Sequence, residues 1–249
     1  MRETIRVPEK RFIEGKPFYG DTKAEALRAL QSEGFEALFM PEILDARIET
    51  GILDARMLDA RIDAEPGSYA WTNSLHSLSL KATGRPGCGK GNEEDAVVIY
   101  AHVPNEFSTP DGILLAISKG LVNGAGKLPQ EEFDRLYNMA GNETVLAVPY
   151  LKLKDAESDF IHINKALQHP QTIPFCGGEA RAKRYLAAYG QAYSTDEIGI
   201  WHLDDLHDEP LARFLCAGFC GDSLFGDNLD ASARFVGVHR AERSELTLS

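Results

Sequence analysis

The densest group of potentially reactive side chains is the stretch WHLDDLHD, residues 201–208. It carries two imidazoles and three carboxylates directly after a predicted strand, in a loop of the kind that often carries functional residues. His202 and Asp204 would share a face if the strand continued. Such groups suit either a divalent metal ion or a histidine general base held by an aspartate. Alternatively, Asp204 and Asp205 are loop residues, Asp208 caps the next helix, and the histidines have no chemical role.

Histidines in two other predicted strands could join this group. His102 stands near the end of the strand 95–104, just before a predicted helix, and a helix N-terminus beside a strand end is a natural anion site. His76 lies in the strand 68–84, on a face that also presents hydroxyl groups. In the alternative interpretation, His102 is a half-buried packing residue and the polar face around His76 is exposed to water.

Together these residues favour a cytosolic enzyme of hydrolase or transferase type that acts on a small polar substrate. In this hypothesis His202, Asp204 and Asp205 form the pocket with His102 and His76, and a histidine acts as general base or binds a divalent metal. The alternative is a non-catalytic binding or assembly protein with an acidic surface. Convergence of the imidazoles in one cleft would favour the enzyme, and their scatter would favour the binding protein.

The stretch GRPGCGKG, residues 84–91, resembles a phosphate-binding loop but lacks its last residue. Gly84, Gly89 and Lys90 fit the G-x-x-x-x-G-K pattern, whereas Gly91 stands where Ser or Thr would hold magnesium. A phosphate loop runs from a strand into a helix, because the helix N-terminus supplies aligned N–H groups. Here a β-branched run follows instead, so the segment is predicted to be a hairpin loop that binds no nucleotide.

The composition narrows the classes of partner. The chain of 249 residues carries 26 Lys and Arg against 38 Asp and Glu, a net charge of −12. Nucleic-acid binding rests on an excess of basic residues, and an acidic surface also disfavours anionic membranes. No apolar run is long enough to span a bilayer and no secretory signal opens the chain. We therefore expect a cytoplasmic protein whose partner is a small molecule or another protein.

The four cysteines are not arranged as a metal site or a disulfide framework. Cys88, Cys176, Cys216 and Cys220 contain no C-x-x-C pair. Scattered thiols in a cytosolic chain are usually small buried hydrophobic residues. We expect them to be reduced and unreactive.

Helices and strands alternate irregularly, which predicts an α+β fold. A single domain is expected over 1–240, with a polar tail at 241–249, a mixed and mainly antiparallel sheet, a long central hairpin at about 68–104 and several packed helices. Cap residues and apolar stripes predict helices at 22–34, 108–120, 127–141, 178–190 and 208–218. Apolar runs predict further strands at 35–40, 144–153, 197–203 and 233–240.

The tetrapeptide LDAR occurs three times between residues 44 and 61. Its pattern fits both a strand and a helix, and the spacing between copies is irregular, so it is not a solenoid repeat. We interpret it as a local duplication in an insertion, with the Asp and Arg side chains facing water.

Overall fold

The computed structural model describes residues 16–50, 75–87, 91–201, 205–218 and 223–239, and these residues form a mixed sheet packed against helices. The strands are β1 Lys16–Gly20, β2 Phe35–Ala37, β3 Leu75–Gly84, β4 Val97–Ala101, β5 Gly126–Lys127, β6 Val145–Pro149, β7 Asp159–His162, β8 Glu197–Ile200, β9 Leu211–Ala217, β10 Ser223–Asp227 and β11 Ala233–His239. The helices are α1 Lys23–Ser32, α2 Met40–Thr50, α3 Pro110–Ser118, α4 Gln130–Asn138, α5 Tyr150–Lys154, α6 Ile163–Ala166, α7 Thr172–Cys176 and α8 Glu179–Tyr193. The predicted α+β class is confirmed.

Strand β3 is the centre of the sheet. It pairs antiparallel with β4 and β9, and parallel with β11. The path β1-β11-β3-β9-β10-β8-β7 forms the sheet, and β2, β4, β5 and β6 attach to it. Only β11–β3 and β10–β8 pair parallel among the described strands, so the predicted mixed and mainly antiparallel sheet is confirmed.

The predicted central hairpin is formed by β3 and β4. Its paired part places Leu80–Gly84 opposite Val97–Ala101, and residues 68–74 of the predicted span lie outside the described residues. The connection runs through a 3₁₀ turn, Glu93–Asp95, directly into β4. The stretch 84–91 therefore joins strand to strand as predicted, although residues 88–90 are not among those described.

The two faces of the sheet are buried in two different cores, because side chains alternate along each strand. Leu80, Ile99 and Phe214 pack on one face with residues of α1, α3 and α4. Tyr100 and Leu215 pack on the other face with residues of α2 and α5 to α8. The sheet is thus rigidly held from both sides.

The predicted signals for helix ends hold for α1 and α3. The Thr22 hydroxyl accepts a hydrogen bond from the backbone N–H of Glu25, and the Thr109 hydroxyl accepts one from that of Gly112. Side-chain acceptors of this kind satisfy N–H groups that have no partner in the first turn. None of the helices in the described ranges is long and apolar enough to cross a membrane.

The prediction of a helix at 208–218 is wrong, since these residues contain strand β9. Leu211–Ala217 pairs with β3 along one edge and with β10 along the other. Both faces of β9 are buried, so its sequence lacks the polar alternation that marks a half-exposed strand. Asp208 is therefore not a helix cap.

The first LDAR copy, residues 44–47, lies within α2, and the predicted strand 35–40 ends at Ala37. The prediction that the arginine of this copy faces water is also wrong. Arg47 is buried and donates hydrogen bonds to the hydroxyls of Tyr185 and Tyr193 at 2.9 and 3.3 Å. The other two copies lie outside the described residues.

Candidate functional site

A cleft of about 320 Å³ opens on the sheet where β3 ends. Its floor is a row of three side chains in register across three antiparallel strands: Val98 of β4, Thr83 of β3 and Leu211 of β9. Arg213 extends the floor, because it lies two residues after Leu211 and so on the same face of β9. The full lining is Thr83, Val98, Val122, Asn123, Tyr150, Leu153, Lys154, Asp205, His207, Leu211 and Arg213.

One wall of the cleft is a tight turn between α3 and β5. The backbone groups of Val122 and Ala125 exchange two hydrogen bonds of 2.9 Å around Asn123 and Gly124. Both central residues have positive φ angles, 49° and 80°. Asn-Gly is the preferred pair for such a type I′ turn, because asparagine tolerates and glycine favours this conformation. The turn presents Val122 and Asn123 to the cleft.

Arg213 connects this turn to the residue that follows strand β10. Its guanidinium donates to the backbone oxygen of Asn123 at 2.5 Å and to the side-chain oxygen of Asn228. Leu229 N–H in turn donates to the Gly124 oxygen at 3.0 Å. Planar hydrogen-bonded guanidinium groups have little rotational freedom, so Arg213 is held in one orientation beside the cleft.

The opposite wall is helix α5 together with the loop 205–207. A backbone hydrogen bond joins the Tyr150 hydroxyl to Leu206, and burial is the main cause that raises the pKa of this phenol. Lys154 forms an ion pair of 2.6 Å with Glu93, and Arg85 donates to the backbone oxygen of His207 at 3.2 Å. These bonds fasten the loop to the helix and to the β3–β4 connection.

The floor contains a buried hydroxyl without a partner. Thr83 is 2% exposed, and its Oγ1 atom makes no hydrogen bond to any of the described residues. A buried hydroxyl without a partner costs free energy, so such atoms commonly mark places where a ligand or water binds. Two larger depressions, one beside β2 and one beside α4, have no comparable atom in their described lining.

His76, a predicted site residue, lies far from water in a buried ionic group. Its Nε2–H donates to Asp227 at 2.7 Å, because its Nδ1 already accepts from the backbone N–H of Arg234. Lys23 of α1 completes the group with an ion pair of 2.7 Å to the same carboxylate oxygen. Burial and Lys23 lower the pKa of His76, while the hydrogen bond from His76 and the charge of Lys23 hold that of Asp227 well below its usual range.

His102, a second predicted site residue, is buried in a different hydrogen-bonded chain. Its Nε2–H donates to the Pro174 oxygen at 2.9 Å, and its Nδ1 accepts from the Ser79 hydroxyl at 2.8 Å. The same hydroxyl accepts from the backbone N–H of Met40. Burial lowers the pKa of His102 to about 4. The imidazole is therefore neutral and fully hydrogen-bonded in the core.

Of the predicted site residues that are described, Asp205 lies in the cleft, and His76 and His102 lie away from it. Asp205 is exposed, and neither imidazole is among the lining residues. His202 and Asp204 lie outside the described residues. The prediction of metal binding is wrong for the part of the chain that is described, which holds no group of three His, Cys, Asp or Glu residues able to bind a metal ion.

Thr83 and Arg213, which define the floor of the cleft, were not predicted from the sequence. One signal for its position was available, because Asn123-Gly124 is a strong type I′ turn sequence. The floor itself could not be found, since β9 was predicted to be a helix and its register with β3 was unknown.

Comparison with known proteins gives one informative result. This chain is similar to a solved structure described as "Accommodation of massive sequence variation in Nanoarchaeota by the C-type lectin fold". The similarity covers 92% of this chain and 100% of that chain, with 43% sequence identity and a TM-score of 0.75. No family model and no curated protein matches. The prediction of a hydrolase or transferase is therefore wrong, and the alternative of a non-catalytic binding protein agrees better with this finding.

Proposed function

The chain belongs to the C-type lectin fold family, and on this premise we propose that it is a non-catalytic binding protein whose ligand occupies the cleft above Thr83. The relationship to the nanoarchaeal structure is the observation that carries the proposal, since the two chains share 43% identity over nearly the full length. A fold alone would not specify a function, so the position of the site is argued from the cleft itself.

The construction of the cleft supports binding. Its floor belongs to a sheet that is packed on both faces, and its walls are a turn, a short helix and a loop. Side chains on the turn and the loop can change without disturbing the two cores, because loops tolerate substitution better than packed elements. This arrangement accords with the description of the related structure as a fold that accommodates massive sequence variation.

The lining is also chemically suited to recognition. Val98, Val122 and Leu211 supply apolar surface, while Thr83 and Arg213 supply hydrogen-bonding groups. Ligand sites generally combine a mostly apolar surface with a few fixed polar groups that determine orientation. The proposed partner is a small molecule or a segment of another protein, and the net charge of −12 supports a partner other than nucleic acid. A cytoplasmic location belongs to the same proposal.

A selection experiment with a matched pair of variants tests the site. Binders to the purified protein are selected from a displayed library of random peptides, and their affinities are then measured for Val122→Trp and Leu115→Trp. Val122 lines the cleft, so tryptophan there fills part of it. Leu115 is 47% exposed on α3, so the same substitution there adds an indole to the surface outside the cleft lining.

We expect the selected binders to lose at least tenfold in affinity for Val122→Trp and to bind Leu115→Trp as they bind the original protein. Circular dichroism and thermal unfolding of both variants verify that each is folded. Binders whose affinity is the same for all three proteins would refute the assignment of the cleft.

A further inference from the structure

We infer that the partner inserts a tyrosine side chain into the cleft, with its phenol hydroxyl bonded to the Thr83 hydroxyl and its ring packed on the surrounding apolar side chains. This assignment rests on the proposed function and makes the partner specific. The partner is a polypeptide, and the group that is recognised is a tyrosine exposed on its surface.

The size of the cleft fits one large side chain. Its volume of about 320 Å³ is close to the lower limit of the roughly 300–1,000 Å³ that is usual for ligand pockets. A partner that binds through this cleft therefore contributes a single anchoring group, and the rest of the partner stays outside.

The floor of the cleft is apolar on both sides of one hydroxyl group. Val98 and Leu211 flank Thr83 in register on the neighbouring strands, and Val122 and Leu153 also line the cleft. Thr83 is 2% exposed, and its Oγ1 atom has no hydrogen-bond partner in the part of the chain that is described. A group that fills the floor should therefore be apolar along its sides and end in one hydrogen-bonding atom.

Tyrosine is the side chain that best meets both requirements. Its ring supplies the apolar sides, and its hydroxyl can both donate to Oγ1 and accept from it, whereas the indole N–H of tryptophan only donates. A purely apolar side chain would leave the Thr83 hydroxyl unsatisfied, and a charged one would lose its hydration beside Val98 and Leu211. Buried tyrosines usually find a partner for the hydroxyl and are enriched at protein interfaces.

The rim of the cleft carries polar groups suited to a polypeptide backbone. Asn123 and Asp205 are exposed there, on opposite walls. A side-chain amide donates to a backbone oxygen and accepts from a backbone N–H, and a carboxylate accepts from an N–H. The main chain on either side of an inserted tyrosine thus meets hydrogen-bonding groups that a small free phenol lacks the backbone to use.

Three peptides and one small phenol are the probes. The acetylated and amidated tripeptide Ala-Tyr-Ala is compared with Ala-Phe-Ala, Ala-Trp-Ala and p-cresol by titration monitored through the methyl ¹H–¹³C NMR spectrum. A ring seated on the floor shifts the methyl signals of Val98, Val122 and Leu211. We expect these shifts with Ala-Tyr-Ala, an affinity about threefold to tenfold greater than that of Ala-Phe-Ala, and weaker binding of Ala-Trp-Ala and p-cresol.

Variants of two buried threonines assign the preference for tyrosine to one hydroxyl. Thr83→Val removes that hydroxyl at nearly constant volume, so the preference over Ala-Phe-Ala should disappear, and Thr83→Ser should retain it. Thr172→Val is the matched control. The Thr172 hydroxyl is also buried and has no hydrogen-bond partner among the residues described, but Thr172 does not line the cleft. This variant should keep the preference unchanged, and thermal unfolding verifies that all three variants are folded.

The assignment is overturned if no tripeptide binds, or if Ala-Phe-Ala or Ala-Trp-Ala binds as tightly as Ala-Tyr-Ala. It is also overturned if p-cresol binds more tightly than Ala-Tyr-Ala, which would identify a small phenol, or if Thr83→Val keeps the preference for tyrosine.

The selected peptides test the proposed function separately. If they lose affinity for Val122→Trp while no tripeptide binds, the cleft is the binding site and its partner is recognised through other groups. If they bind Val122→Trp as they bind the original protein, the proposed function fails together with the assignment of tyrosine.

Discussion

Replacing Asp227 by Asn should destabilise the protein strongly, because the substitution leaves a buried ammonium group without its counter-ion. Lys23 is completely buried and lies 2.7 Å from Asp227, whose side chain is 9% exposed. Breaking a buried ion pair by removing one partner typically costs about 3–5 kcal/mol. We expect a loss of this size in the free energy of unfolding, measured by urea denaturation followed by circular dichroism.

A double-mutant cycle with Lys23→Met separates the ion pair from general packing. The double variant Lys23→Met/Asp227→Asn leaves no charge unpaired, so its loss should be smaller than the sum of the two single losses by about 1–3 kcal/mol. The matched control is Lys154→Met, which removes an ion pair of nearly equal length, 2.6 Å, between half-exposed groups. It should have little effect, because exposed pairs contribute little to stability.

The result that contradicts this reasoning is equal destabilisation by Asp227→Asn and Lys154→Met. Burial would then not decide the contribution of an ion pair in this protein. Additive losses in the cycle would equally contradict it, because they would show that Lys23 and Asp227 do not act on one another.

Three further predictions concern other parts of the structure. The pKa of His102 is about 4 in the folded protein and near 6.5 in the unfolded chain, so the unfolded state binds more protons between these two pH values. The free energy of unfolding should therefore fall by up to about 3 kcal/mol as the pH drops from 6.5 to 4. Denaturation measured across this pH range should show a smaller fall for a His102→Gln variant. Gly124→Ala should lower the melting temperature, because φ at this position is 80° and the added Cβ would lie 2.2 Å from the Asn228 side chain; differential scanning calorimetry measures the change. The thiols of Cys176 and Cys216 are buried, and burial raises the pKa of Cys176 to about 12, so peptide mapping after mild alkylation should find them modified only in the unfolded protein.

The sequence predicted the elements whose limits are determined locally. For α1 the sequence offered Asp21 or Thr22 as the cap, and for α3 Ser108 or Thr109; the caps are Thr22 and Thr109. The predicted terminators, the glycines at 34 and 120, adopt positive φ angles after the helices end. The β3–β4 hairpin was also predicted, because a β-branched run follows the glycine-rich segment within a few residues, with no helix between them. Each of these signals acts within a few residues, so it can be read without the tertiary structure.

Strand β9 and the environments of the histidines depend on contacts between distant residues. The stretch LARFLCA has no polar alternation because both faces are buried, and a short apolar run of this kind does not distinguish a strand from a helix. His76 meets Asp227 across 151 positions of sequence, and His102 meets Pro174 across 72. Spacing along the chain therefore gave no indication that both imidazoles lie in the core.

The pairing of β11 has a consequence for synthesis of the protein. This strand contacts β1, β2 and β3, which are made much earlier, and it is the last of the described strands. During translation those three strands remain without this shared neighbour until residues 233–239 have left the ribosome. A prematurely terminated polypeptide would expose the unpaired edge of β3, which is a template for aggregation and a target for proteolysis. Pairing at this edge of β3 is thereby coupled to the synthesis of residues 233–239.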